Sequence, residues 1–348
     1  MDYRQLGRTG LRVSALCFGT MTFGGDGMYK VIGETAQAQA DQLVGVCLDA
    51  GINFFDTADT YSGGRAEQML GKALGARRQD VVVATKVRGR VGPGPNAVGL
   101  SRGHIMDSVD ASLKRLGTDY IDLYQIHGYD ALSPWDETLR ALDDLVRAGK
   151  VRYIGASNLA AWQLMKALGL SERDRLTRFE TMQSYYSIAG RDVERELCPL
   201  IEAEQVGLLI WSPLAGGLLS GKFSRAQQGP NGARRTSFNF PPVDETRLYG
   251  VLDTLAEVAQ TQGVSVARVA LAWLLHQRVT TSVIIGARDE AQLADNLAAP
   301  ALTLDAAQLQ RLDQASALAV EYPGWMITMQ ARDRLEALSP EQRFAKTT

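Results

Sequence analysis

Cysteine is scarce in this chain, with three residues in 348, and histidine is equally rare. Cys17, Cys47 and Cys198 stand far apart, form no C-x-x-C pair and sit in apolar surroundings, which excludes a disulfide framework and points to reduced, buried thiols. His104, His127 and His276 are just as dispersed, none with a second ligand at i+3 or i+4, so no metal site is expected. An excess of one charge is missing too. The 37 basic and 39 acidic residues leave a net charge of −2 with no long run of either sign, and binding to nucleic acid or another polyanion is not expected. No apolar run reaches the ~18 residues of a membrane span, and the residues after Met1 do not read as a signal peptide. The expectation is a cytoplasmic protein acting on small molecules, with the choice between monomer and homo-oligomer left open.

What the chain does have is a rhythm. Residues 3–14 read as a small hairpin turning at Gly7-Arg8-Thr9-Gly10. A buried strand at 15–18 follows, and helical periodicity then alternates with short apolar runs. Helix 37–49 leads to strand 52–55, helix 65–74 to strand 81–84, helix 103–116 to strand 120–126, and helix 134–147 to strand 151–155. Helix 159–168 leads to strand 179–182, helix 193–204 to strand 207–211, and helices 251–262 and 266–277 to strand 282–285, with helix 289–298 behind it. Eight strands in βα units of roughly 30 residues close most naturally into a (β/α)8 TIM barrel, with the hairpin ahead of it. An open doubly wound α/β sheet remains an alternative, because a count of units does not establish closure. Three stretches break the rhythm: 87–100, 215–244 and everything after 304, and the middle one is long enough for a lid or binding loop. No Ser/Gly linker or charge block divides the chain, so residues 1–348 are expected to form one domain.

The stretch Gly51-Ile52-Asn53-Phe54-Phe55-Asp56 ends a buried strand in a carboxylate, and Tyr61 follows five residues later. An unpaired charge in such a place is costly, so Asp56 is a cap or part of a site. Lys86 and His127 stand at the ends of two further strands, and in a barrel the strand ends of one face gather around the ligand. Singly, each residue has an ordinary reading as a cap, a loop aromatic, a solvated strand end or a core histidine. Two nucleotide motifs fail on physical grounds. The run from Gly216 to Lys222 matches a phosphate loop until Phe223, where magnesium coordination requires Ser or Thr. Gly92-Pro93-Gly94-Pro95-Asn96-Ala97 has prolines where a dinucleotide-binding helix must start its hydrogen-bond ladder.

Asp56, Tyr61, Lys86 and His127 are similar to the tetrad of the aldo-keto reductase family, and the resemblance covers nearly the whole chain. It includes Phe18-Gly19-Thr20, Asp56-Thr57-Ala58 with Tyr61, Thr85-Lys86, Arg115-Leu116 with Tyr120 to Leu123, Ser157-Asn158, Gln183, Ser212-Pro213-Leu214, and Gly286-Ala287-Arg288 with Gln292 and Asn296. It implies NADPH-dependent reduction of an aldehyde or ketone, with Tyr61 as general acid, Lys86 lowering its proton affinity, Asp56 holding Lys86, and His127 orienting the carbonyl. The same resemblance places Gly19, Thr20 and Met21 by the nicotinamide ribose, Asp56 among the cofactor contacts, Ser157, Asn158 and Gln183 on the carboxamide, and Trp211 on the ring. Ser212, Leu214, Gly216 and Lys222, with Pro213 among them, would follow the diphosphate. Gly286, Arg288, Gln292, Asp295 and Asn296 would hold the adenosine end. Arg288 suits a 2′-phosphate and no acidic residue stands ready for a free 2′-hydroxyl, so NADP(H) is expected over NAD(H). Arg234 or Arg235 could close over the same phosphate.

Gly128 follows His127 where many members carry a bulky aromatic, which suggests a roomy pocket for a large or cyclic ketone. Phe23, Tyr29, Trp135, Phe238, Phe240, Tyr322 and Trp325 are candidate walls. Two rival readings use the same residues: an aldolase-type barrel with a Schiff base on Lys86, and a regulatory NADP(H)-binding subunit similar to the potassium-channel β subunits of this family.

Overall fold

The computed structural model describes residues 1–227, 229, 235 and 238–335. Eight parallel strands form its centre: β3 (Leu16–Gly19), β4 (Phe54–Asp56), β5 (Val82–Val87), β6 (Ile121–Ile126), β7 (Val151–Ser157), β8 (Phe179–Tyr185), β9 (Gly207–Trp211) and β10 (Thr280–Ile285). Each pairs with the next, and β10 returns to β3 with Ile285 opposite Phe18, so the sheet closes. Closure excludes the open doubly wound alternative. Ahead of the barrel, β1 (Tyr3–Gln5) and β2 (Arg12–Ser14) form the antiparallel hairpin. Leu6 and Val13 of that hairpin pack with Phe54, Val82, Leu123 and Leu209 of the barrel interior, so the hairpin plugs the end opposite the strand C-termini. Arg4 fixes it there, donating to the carbonyls of Thr280 and Leu275.

The twofold alternation of a strand explains how one segment serves two layers. In β5, Val82 and Ala84 belong to the interior cluster, while Val83 and Val87 join the larger core beneath the helices. Lys86 continues the inward row. The surrounding helices are α1 (Gln37–Asp49), α2 (Arg65–Leu74), α3 (Arg102–Leu116), α4 (Trp135–Arg147), α5 (Ala161–Asp174), α6 (Leu197–Glu204), α7 (Glu245–Gln262), α8 (Val266–His276), α9 (Glu290–Leu297), α10 (Ala306–Ala315) and α11 (Gly324–Leu335). Side-chain caps set several starts: Ser101 accepts from the His104 N–H, Ser265 from Arg268 and Asp289 from Gln292.

Some boundaries differ from the periodicity. α5 runs past Gly169 because Leu164, Ala167, Leu168 and Ser171 keep one buried face. The helix expected from 193 splits into a 3-10 turn at Asp192–Glu194 and α6, since Pro199 has no N–H to donate and must lie in a first turn. α7 starts earlier, at an Asp244 cap. In the tail, α11 follows Tyr322, whose ring packs on Trp325 with centroids 6.1 Å apart while both remain exposed. Those two aromatics are therefore not pocket walls. Nor are Phe23 and Trp135, which are buried against Phe18 and Phe179. Cys17, Cys47 and Cys198 are all free and buried.

Candidate active site

Asp56 is the last residue of β4, and its side chain is almost wholly buried. Its Oδ1 receives a hydrogen bond from Lys86 Nζ at 2.5 Å, within a strand register that sets Asp56 opposite Ala84. Lys86 Nζ also donates to the Thr57 carbonyl at 2.8 Å and to the Tyr61 hydroxyl at 3.4 Å. Three acceptors surround an ammonium with no exposure to solvent, which is what a buried charge requires. Tyr61 opens a tight turn in which Ser62, Gly63 and Gly64 all have positive φ, and the Ser62 hydroxyl locks this turn by donating to the Phe23 carbonyl at 2.7 Å. His127 follows β6, and its ring lies against Tyr61 with centroids 5.9 Å apart. The four residues chosen from the strand ends converge in one place.

Their electrostatics differ from the simplest expectation. Burial raises Tyr61 to about 12, and the neighbouring Lys86 charge offsets only part of that rise. The phenol therefore holds its proton through the neutral range. For Lys86 burial pulls downward, but the charges of Asp56 and Tyr61 and the hydrogen bonds to both hold it above the ordinary lysine value. Burial, with Lys86 and Arg88 nearby, lowers His127 to about 3, so its ring is neutral.

Asp56 has two further partners. Gln183 Nε2 donates to Oδ2 at 2.9 Å and Gln125 Nε2 to the same oxygen at 3.2 Å. Gln125 had no place in the sequence reading. The available signal was register: Leu123 and Gln125 share the inward row of β6, and Gln125 sits directly opposite Lys86.

A cleft of about 630 Å³ opens over this cluster. Gly19, Met21, Asp56, Tyr61, His127, Asn158, Trp211, Ser212, Pro213, Leu214, Gly216, Lys222, Gly286, Arg288, Gln292 and Asn296 all line it. Thr20, Ser157 and Gln183 do not. Thr20 and Ser157 are fully buried and donate to the carbonyls of Asp56 and Gln183, so they brace the wall, and Gln183 has its amide turned to Asp56. Asp295 is also off the cleft, because Arg268 and Ser265 hold its carboxylate. Trp211 stacks on Phe240 with ring centroids 5.6 Å apart and planes 8° from parallel, and its indole N–H donates to Asn158. A ring partner is thus already present on Trp211.

Tyr29, Phe238 and Phe240 do line the cleft, as do Met28, Thr22 and Ile284, which the sequence reading did not name. Arg235 lines it near Gly216, donating to the Pro241 carbonyl, whereas Arg234 lies outside the described residues. Gly128 does not line the cleft, and a Cβ there would touch the Arg88 stem at 3.9 Å, so the room expected beside His127 is shared with Arg88.

The lining suits a dinucleotide. Lys222, Arg235 and Arg288 supply positive charge, and Asp56, committed to Lys86, is the one acidic residue among the described lining. Gly216 and Gly217 have φ of 68° and 103°, and a Cβ at Gly216 would fall 2.3 Å from the Phe240 carbonyl. Glycine is required at 216 by the close passage of the Phe240 backbone. No group of His, Cys, Asp and Glu able to hold a metal occurs among the described residues, and no helix among them is long and apolar enough to cross a membrane.

Comparison with known proteins agrees with this arrangement. Residues 15–317 match the Aldo/keto reductase family. The chain is 41% identical to "Uncharacterized oxidoreductase YrpG" of Bacillus subtilis (strain 168), over 90% of this chain and 95% of that protein. It is 38% identical to a "Probable voltage-gated potassium channel subunit beta" of Arabidopsis thaliana, over 86% of this chain and 91% of the relative. It is 34% identical to "Versiconal hemiacetal acetate reductase" of Aspergillus parasiticus, over 93% and 99%. A closed eight-stranded barrel, a buried Asp-Lys-Tyr cluster with a histidine beside it, and a family match across most of its length together make this chain a member of the aldo/keto reductase family of oxidoreductases.

Proposed function

We propose that the protein reduces the carbonyl group of an aldehyde or ketone to an alcohol with NADPH, and runs the reverse oxidation when substrate ratios favour it. The observation that carries this reading is the chain of contacts from Asp56 through Lys86 to the Tyr61 hydroxyl at the floor of a cation-lined cleft. NADPH, when bound, supplies the hydride. Gly19, Met21, Asn158 and Trp211 would hold its nicotinamide end, Ser212 to Gly216 and Lys222 its diphosphate, and Gly286, Arg288, Gln292 and Asn296 its adenosine end. Arg288 is an exposed guanidinium on the cleft, and Asp56 at the floor is the one acidic residue among the described lining, which favours a 2′-phosphate over a free hydroxyl.

Proton delivery falls to the protein's own residues. Negative charge grows on the carbonyl oxygen as it is reduced, and a positioned acid stabilises that charge. Tyr61 is suited to the task because burial keeps its proton in place until a strong base, the developing alkoxide, arrives. Lys86 then stabilises the phenolate left behind, and Asp56 keeps Lys86 charged and aimed. His127, neutral and beside Tyr61, can donate to the same oxygen and fix its approach.

A Schiff base on Lys86 is disfavoured, since its amine is protonated, fully buried and bound to three acceptors. A regulatory role has the channel-subunit relative in its favour. Monitoring NADPH absorbance over aldehydes, cyclic ketones and sugars separates the readings: reduction should occur with NADPH, more weakly with NADH, and fall about 10²–10⁴-fold in Tyr61→Phe. Unchanged turnover in that variant removes Tyr61 as the proton donor. Tight NADPH binding without turnover favours the regulatory reading.

A further inference from the structure

A second polar cluster lies behind Tyr61 and Lys86, between β5, β6 and the helices, and the chemistry above does not use it. Asp59, two residues before Tyr61, is 2% exposed, and neither of its carboxyl oxygens has a hydrogen-bond partner among the described residues. The adjacent Thr60 N–H supports it weakly, without reaching hydrogen-bond geometry. Glu67 of α2 faces it, fully buried and accepting from Thr85 Oγ1 and Arg115 Nε, each at 2.6 Å. Arg115 of α3 is already matched by Glu67, while Lys86 of β5 is matched by Asp56. From β6 comes Tyr124, fully buried, with a hydroxyl that has no partner among the described residues, and also under the influence of Asp110 on α3.

The backbone of the same turn is laced to β5. The Thr57 N–H donates to the Ala84 carbonyl at 2.9 Å and the Asp59 N–H to the Lys86 carbonyl at 3.3 Å. The Asp59 side chain thus leaves a backbone tied directly to Lys86, in the turn that carries Tyr61. An ionised Asp59 would face Glu67 as a like charge in a buried place where the two neighbouring cations, Arg115 and Lys86, are already matched by other carboxylates, which is unfavourable.

We propose that Asp59 is a positioning residue that works as the uncharged acid, its side chain filling a buried place beside the 57–61 turn so that Tyr61 stays on Lys86. Ionisation drives the side chain away from Glu67 and pulls the phenol out of register. Burial first, and the Glu67 charge second, raise Asp59 to about 8 against the opposing pull of Arg115 and Lys86. The inference rests on the reading of Tyr61 as proton donor.

The test measures NADPH-dependent reduction and thermal unfolding from about pH 6 to about pH 10 for the wild type, Asp59→Asn, Asp59→Leu and Glu67→Gln. In the wild type kcat should fall with an apparent pKa of about 8, well below the Tyr61 value of about 12. Asp59→Asn, with no proton to lose, should lack that limb. Asp59→Leu should lower kcat about tenfold at neutral pH with the KM for NADPH unmoved, and asparagine should restore most of the loss. Glu67→Gln should move the limb to lower pH, and this variant carries the test if changes at 59 prevent folding. The stability sign follows from an acid whose folded value is raised: its contribution is complete below the ordinary aspartate range and is lost as pH rises toward about 8. The melting temperature of Asp59→Asn should therefore gain on the wild type up to about pH 8 and then run parallel. A limb retained in Asp59→Asn, or a melting difference independent of pH, overturns the proposal. No NADPH turnover in any variant, with the pH-dependent melting gap still present, overturns the reductase reading and the role of the turn in it, while locating the fault outside Asp59.

Discussion

Gln125 donates its side-chain amide to Asp56 Oδ2 at 3.2 Å, the oxygen that Lys86 does not hold. Asp56 is thus gripped from β5, β6 and β8, and its orientation toward Lys86 depends on the two glutamines. Gln125→Leu leaves Gln183 as the remaining donor to that oxygen. A lost hydrogen bond to a charged group costs about 1.5–3 kcal/mol. The variant should melt earlier and lose roughly tenfold in kcat, with the KM for NADPH little changed, as a residue acting through Asp56 should. Full activity in Gln125→Leu would show that Gln183 suffices.

Removing Lys86 should be worse for folding than removing both members of its pair. Lys86→Met strands the Asp56 charge inside the barrel, and breaking a buried pair in this way costs about 3–5 kcal/mol. Combining it with Asp56→Asn should restore much of the lost stability and none of the activity. Denaturant unfolding of the two single variants and the double variant measures this coupling.

His127 should show no titration in the activity profile near the ordinary histidine range, because burial and the charges of Lys86 and Arg88 hold it at about 3. Its effect on stability has a definite sign. The unfolded chain takes up a proton near ~6.5 and the folded chain does not, so stability is complete above that value and declines as pH falls toward about 3. The slope for one proton is about 1.4 kcal/mol per pH unit. His127→Gln should flatten that slope in melts taken below about pH 6, and an unchanged slope would show that His127 is protonated in the fold.

Cofactor preference should turn on Arg288. Its guanidinium donates to the Ile32 carbonyl at 3.2 Å and faces the cleft at the base of α9. Arg288→Gln should raise the KM for NADPH about tenfold or more, equivalent to about 1.4 kcal/mol, and leave that for NADH nearly unchanged. Equal losses with both cofactors would move the 2′-phosphate contact elsewhere, with Arg235 and Lys222 the other cations on the wall.

The alternation of helical and twofold periodicity is local, and it determined the eight βα units and the identity of Asp56, Lys86 and His127 as strand-end residues. Local patterns also determined that the thiols are buried, since each cysteine sits among apolar neighbours in its own segment. Closure was beyond such patterns, because it depends on β10 meeting β3 across more than 250 residues of chain. So did the fate of Asp295, which the resemblance placed at the adenosine and Arg268 holds instead, and of Trp211, whose ring has Phe240 against it. Gln125 and Asp59 illustrate the same division: each is an ordinary polar residue in its own segment, and only packing gave one a carboxylate to orient and left the other a carboxyl group without a partner among the described residues. A side chain's spacing along the chain sets which face it takes, but its neighbours across the barrel set what charge it can carry there.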